Sequence, residues 1–457
     1  LVTEVNMLNV GRSVNTVVLP EYSERIVLES VMRANQEDNE RKEAEKKTAL
    51  EFYFNDNLDN HLAQWFNSDS LKQVPTFPQR VVPRFSRARM MLYKSPPKRF
   101  INGEEDANYK QLAYKLNSKT RVFSELAWLL GCCHFKTSVD ERNKRLFYEI
   151  LPNVREYYIH GESEPFAYSW EIEKDLSKKI NVFWSEARDG LPGMHFRFDN
   201  NGKRYAVEGN SEMINPYGIN PISRVEFPSN AYDVVRSAVQ IGIAMTEIAL
   251  GVRFKLGQPV FTGVDEGQSQ IKSGIDNAIL LPEGASFQYV APSGSILEMI
   301  EAVKAFANQT AENNHLRIRW GESGGNAPSG EALRILEIEN LESRESDEAM
   351  FREWEQSRYK IDRLLLDKHN IIKLSENYAV DFEEISFPMS PQEERNWLDW
   401  KLDKGIMTQK ELLLYFNPDM TDEEIQSKLG EVREEKKAEA EATTPQRPTF
   451  GGLRNLG

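Results

Sequence analysis

The sequence predicts an α+β protein, mainly helical, with an antiparallel sheet set between helical blocks. Three observations predict it. Long stretches rich in Glu, Lys, Arg, Ala and Leu run without Pro or Gly, the first from Tyr22 to about Asn67. Between Phe147 and Val207, short runs of Tyr, Phe, Val, Ile and Trp recur at strand length. From Ser329 to about His369 the only helix breaker is Gly330. At about 1.5 Å of rise per residue, those roughly forty residues make one very long helix of about 60 Å.

Taken in order, the first helical block should break near Asn55 to Asn60, and the charged stretch Glu37 to Lys47 reads as a solvated helix face. Pro75, Pro78, Pro83, Pro96 and Pro97 make the next segment a connector, within which Phe85 to Tyr93 is free to form a short helix. A second helix is expected from Ala107 to Gly131, a glycine suited to a C-cap. Strands are expected at Phe147–Ile150, Glu156–His160, Ala167–Glu173, Ile180–Glu186, Met194–Phe198 and Arg204–Val207, with Asp199-Asn200-Asn201-Gly202 as a hairpin turn between the last two.

A turn-dense stretch, Asn215-Pro216-Tyr217-Gly218-Ile219-Asn220-Pro221, then leads to a helix capped by Ser229 or Asn230 and running to about Val252. Residues 253–292 turn to Gly and Pro around Pro259-Val260-Phe261, Ala278–Leu281 and Phe287–Val290, the pattern of a small β-containing insertion. Ser295 and Glu298 form a capping-box pattern, and Ile296, Leu297, Met299, Ile300, Val303 and Phe306 give a helical stripe to about Leu316. The loop Arg317–Pro328 carries Gly321, Gly324 and Gly325 ahead of the long helix. One more strand is expected at Phe382–Phe387. Two or three short helices follow between Pro391 and Gly430, and the tail Glu434–Gly457 is expected to be flexible.

Composition narrows the function. A chain of 457 residues outgrows one hydrophobic core, so two to four units are expected. Its 40% hydrophobic and 28% charged content excludes disorder along most of its length. The net charge of −14 repels phosphate and excludes a DNA-condensing or non-specifically DNA-binding role, while remaining compatible with a conduit through which DNA slides. The most apolar stretch, Val234–Val252, is interrupted by Arg236, Gln240, Thr246 and Glu247 and reads as a buried or interface helix rather than a membrane span. No secretory leader is recognisable, and Leu1 in place of a methionine fits a trimmed start. The two cysteines, Cys132 and Cys133, are adjacent, a poor geometry for a disulfide, and follow Leu126, Trp128, Leu129 and Leu130, which assigns them to the core of a reduced protein.

Motifs for chemistry are missing. There is no phosphate-cradling Gly-x-x-x-x-Gly-Lys-Ser/Thr loop, and no carboxylate cluster stands in a Gly-rich turn where a two-metal nuclease would need it. His61, His134, His160, His195, His315 and His369 lie singly, without metal-binding spacing, and are assigned structural roles. No catalytic residue, metal or cofactor is therefore expected. The segment Arg80–Phe100 holds Arg80, Arg84, Arg87, Arg89, Lys94, Lys98 and Arg99 without one acid. It reads either as a contact for nucleic acid or an acidic neighbour, or, the favoured reading, as cations paired with acids of their own subunit.

The order of elements from Asn215 onward resembles the phage portal family: a turn, a stem helix, a small β insertion, a second stem helix, a glycine-bearing loop and a long helix. Pro328-Ser329-Gly330-Glu331-Ala332-Leu333-Arg334 resembles the opening of the long helix in portals. Gly405-Ile406-Met407-Thr408-Gln409-Lys410-Glu411, followed by Asn417-Pro418-Asp419-Met420-Thr421-Asp422-Glu423-Glu424, is similar to their C-terminal region. Upstream, Phe52-Tyr53-Phe54, the Pro83–Tyr93 helix and Lys94-Ser95-Pro96-Pro97 look like the start of a portal wing. The resemblance covers most of residues 50–430. It implies a ring subunit with a wing at 1–228, stem helices at 229–253 and 293–316, a clip at 254–292, a tunnel loop at 317–328, long helix and wing at 329–390, and a crown at 391–457.

It further implies a homo-oligomeric ring, a dodecamer in the family, at one capsid vertex of a virion assembled in a bacterial cytoplasm. Double-stranded DNA would be its translocated cargo. Its partners would be the terminase large subunit, head-to-tail adaptors, and the major capsid and scaffolding proteins, with no membrane. On that analogy Arg317, Arg319, Glu322 and Ser323 are candidates to face DNA, though both arginines could equally pair with acids of the next subunit. Gln258, Pro259 and Phe261 are candidates for docking partners. Val235, Val239, Ile243, Ile296, Ile300 and Val303 are candidates for the stem interface, because a single helical hairpin cannot bury so many apolar side chains. The competing readings are another oligomeric virion component, such as a head-tail adaptor or minor capsid protein, and an enzyme of unrecognised type.

Overall fold

The computed structural model describes residues 16–19, 40–72, 74–175, 178–188, 190–199, 203–207, 209–254, 258–262, 286–290, 296–317, 338–384, 391–417 and 420–442. The chain divides into two compact units, residues 1–323 with 337–384, and residues 324–336 with 385–457. The fold is α+β with largely antiparallel sheets.

In the first unit, α1 (Glu40–Phe54) and α2 (Leu58–Ala63) part at Asn55 and Asn57, which both take positive φ, a conformation that asparagine tolerates better than most residues. After the single turn α3 (Ser68–Leu71) comes α4 (Val81–Arg89), which begins four residues before the expected Phe85 and stops short of Tyr93. Pro83 fits its first turn, where a missing N–H sacrifices no intrahelical bond. The helix expected over 107–131 is two helices, α5 (Ala107–Leu112) and α6 (Leu116–Leu130), because Lys115 between them sits at φ 61°. Asp106 caps α5 by accepting from the Tyr109 N–H, and Gly131 ends α6 in the left-handed conformation at φ 79°.

Two sheets follow. The smaller has the order β10 (Ile222–Glu226), β3 (Cys132–Asp140), β4 (Arg145–Leu151), all antiparallel. The larger joins β1 (Thr16–Leu19), β5 (Val154–Ile159), β6 (Ala167–Asp175), β7 (Lys178–Ser185), β8 (His195–Phe198) and β9 (Arg204–Tyr205). It is antiparallel except where β1 runs parallel to β5. Strands β8 and β9 pair across the expected hairpin, and Asp199 Oδ1 accepts from the Lys203 N–H, although 200–202 themselves lie outside the described residues. Strand β3 went unforeseen, since Cys-Cys-His-Phe carries little β signal and its partner β10 lies some ninety residues downstream. Burial of Cys132, Cys133, His134 and Phe135 in succession shows that it is covered on both faces.

Helix α7 (Tyr232–Phe254) lies close to the segment expected from Ser229 or Asn230 to Val252, and α8 (Ile296–Asn313) ends three residues before Leu316. The Ser295 part of the capping-box expectation lies outside the described residues. Between the two helices β11 (Gln258–Thr262) pairs antiparallel with β12 (Ser286–Val290). Ala278–Leu281 lies outside the described residues. Helix α9 (Ile338–Lys368) is 31 residues long; the expected start at Ser329 lies outside the described residues. Of the expected strand Phe382–Phe387, residues 382–384 are not strand and 385–387 lie outside the described residues; just upstream, β13 (Tyr378–Asp381) pairs with β2 (Lys98–Ile101). Its buried Tyr378 and Val380 alternate with exposed Ala379 and Asp381, the period of a half-covered strand.

Helix α9 organises the main core. Its Phe351 and Trp354 meet Tyr93, Phe123 and Phe135 through edge and stacked ring contacts at 4.7–6.5 Å. Beside them Arg358, wholly buried, donates to Glu355 Oε2 at 2.6 Å and to Asp362. Glu355 also accepts from Arg99 at 2.7 Å, Tyr378 at 2.8 Å and Tyr93 at 3.2 Å, while Asp362 accepts from Tyr109, Tyr148 and Thr137 at 2.8–3.1 Å. Two cations thus face two anions with nearly every lone pair matched, the condition under which buried charge is tolerable. Burial pushes the Glu355 carboxyl up, but Arg99 and Arg358 more than offset it and hold it far below the usual carboxylate range.

The second unit holds α10 (Pro391–Asp403), α11 (Gln409–Phe416) and α12 (Asp422–Ala442). Thr408 and Glu411 form a reciprocal capping box on α11, and Thr421 with Glu424 repeats the Glu half of it before α12. Residues 434–442 are helical, so the tail expected to be flexible from Glu434 is structured over its first turns. Residues 443–457 lie outside the described residues.

Candidate assembly surface

Helices α7 and α8 form an antiparallel pair because their ends meet crosswise. Asn314 near the end of α8 donates to Asp233 at the start of α7 at 2.8 Å, and Ser237 and Thr310 share a hydrogen bond at 2.9 Å. Small residues permit the close approach of a third element. A Cβ on Gly242 would lie 2.8 Å from Leu62 Cδ1, so glycine is what lets α2 rest on α7. Thr246, fully buried one turn later, donates to the Gly242 carbonyl and accepts from the Phe77 N–H.

By length and composition alone α7 is apolar enough to cross a membrane. Its packing is that of a core helix: Val234, Val235, Ala238, Ile241 and Ile248 are buried against the chain itself. That placement sorts the six stem candidates. Val235 is covered within its own chain, and Val239 and Val303 pack against the same core, which leaves Ile243, Ile296 and Ile300 half-buried. The larger exposed apolar side chains here are ones the sequence reading left out of its candidates: Leu297 is 74% exposed, Val252 54%, Phe306 45% and Met299 38%. Beyond the buried contacts, Ile241, Ala244 and Ile248 of α7 face Met299, Val303 and Phe306 of α8 across an apolar groove of about 390 Å³. Met299, Val303 and Phe306 stand at i, i+4 and i+7 on one helix face, within the stripe that the sequence shows.

The other candidates are placed as follows. Gln258, Pro259 and Phe261 lie on β11, opposite Val290, Tyr289 and Phe287 of β12. Arg317 is exposed just after α8, whereas Arg319, Glu322 and Ser323 lie outside the described residues. In the basic segment, Arg87 pairs with Glu125, Arg89 with Asp347 and Arg99 with Glu355, so these three cations are matched within the chain.

Scanned against protein-family models and against curated protein sequences, the chain matches none.

One further constellation departs from the sequence reading, which treated the cysteines and histidines singly. The side chains of Cys132 and His134 on β3 and Glu156 on β5 are all buried and offer ligand atoms within 4.8 Å of one another. His134 Nε2 donates to Glu156 Oε1 at 2.7 Å, Tyr158 donates to Glu156 Oε2 at 2.9 Å, and Arg224 lies 3.5 Å from the same carboxylate. Burial pushes the Glu156 carboxyl up, but His134, Arg224 and Tyr158 outweigh it and hold the group down at about 2. Cys133 points the other way into the main core, where burial pushes its thiol up to about 12. A Cys-x-His pair on a strand was the available signal, because residues two apart share a face.

Proposed function

We propose that the chain is a portal subunit: copies close into a ring through their α7–α8 hairpins, and double-stranded DNA passes through the hole. The observation that carries this is the apolar surface of α8 left uncovered by the chain's own core, Met299 and Phe306 beside the groove and Leu297 on the other side of the helix. Exposed apolar side chains next to an apolar groove favour association with like copies. The order of elements supports the reading too, since a two-stranded ribbon interrupts the helical pair and a 31-residue helix follows it.

In this reading the β11–β12 ribbon, with Gln258, Pro259 and Phe261, is where the terminase and head-to-tail adaptors dock. The segment from Arg317 onward faces the channel. The acidic chain guides DNA weakly rather than gripping it. The subunit performs no chemistry of its own.

Negative-stain microscopy and light scattering of the purified chain test the proposal. A closed ring with a central hole is expected. A strictly monomeric species at micromolar concentration overturns it, and ATP hydrolysis or DNA cleavage abolished by a point mutation in the chain overturns the absence of chemistry.

A further inference from the structure

We draw no further inference here: the strongest candidate, the pocket of about 520 Å³ that Lys98, Lys110 and Lys115 line between β2, α5 and the start of α6, carries nothing, because its lysines are exposed and share it with Glu105 and Asp106, and beside the N-terminus of α6 no second observation among the described residues points to a ligand.

Discussion

Arg358 donates to Glu355, one turn earlier on α9, at 2.6 Å, and both side chains are wholly shielded from solvent. Removing the cation would leave the buried Asp362 without its ion pair and Glu355 with Arg99 alone, so Arg358→Met should cost about 3–5 kcal/mol. Arg352, on the same helix but 45% exposed, pairs with Glu348, and Arg352→Ala should cost less than about 1 kcal/mol. Urea midpoints of the two variants check both numbers. Similar losses would show that the buried network does not carry the core.

Gly131 supplies a second test. Its φ of 79° is costly for any L side chain, and an added Cβ would meet Asn230 at 3.2 Å. Gly131→Ala should lose about 1–2 kcal/mol. Gly251, in α7 with open space around its Cα, should accept alanine with unchanged or slightly raised stability, and urea midpoints of both glycine variants check the contrast.

His195 predicts an acid-side weakness. Burial, followed by Lys136 and Arg197, pushes its imidazole down from 6.5 to about 4. The folded state therefore resists protonation that the unfolded chain accepts. Stability is fully present above pH 6.5 and is lost as pH falls toward 4, which denaturant titrations between those values should show. His195→Gln should flatten that slope. An identical slope in the variant would assign the effect to other groups.

Leu297 and Phe306 test the assembly proposal at the residues that carry it. Replacing Leu297 with Lys should shift rings to smaller species while leaving the stability of the single chain within about 0.5 kcal/mol, since the side chain is 74% exposed. Intact rings in a Leu297→Lys, Phe306→Lys double variant would exclude the exposed surface of α8 as the contact.

Much of the architecture was legible where local signals are strong. The break at Asn55, the C-cap at Gly131 and the strands from Phe147 to Tyr205 follow from residues that act within their own neighbourhood. What escaped depends on distance along the chain. Strand β3 is held on one edge by β10 some ninety residues downstream, the β2–β13 pairing joins residues some 280 apart, and the Arg358 network gathers residues from Tyr93 to Tyr378. The two segments expected to be helical around Val235 and Ile300 are helices, but their periodicity could not say which stripe the chain covers for itself. Val235 faces inward and Leu297 outward, a choice made by α1, α2 and α4 packing on α7. The Cys132, His134 and Glu156 cluster spans two sheets, so no spacing rule reveals its third member.

The pairing of β2 with β13, reinforced by Arg99 on Glu355, also sets a schedule for synthesis. A ribosome that has delivered residues 98–101 must add more than 270 others before their partner strand exists. Until then the faces of Tyr93, Phe123 and Phe135 that Trp354 and Phe351 will cover stand open. Closing a loop of that length is slow, and nascent chains in this interval expose apolar surface to their neighbours on the same messenger. Yield in the cell should therefore respond more to chaperone supply and growth temperature than to substitutions that stabilise the finished fold.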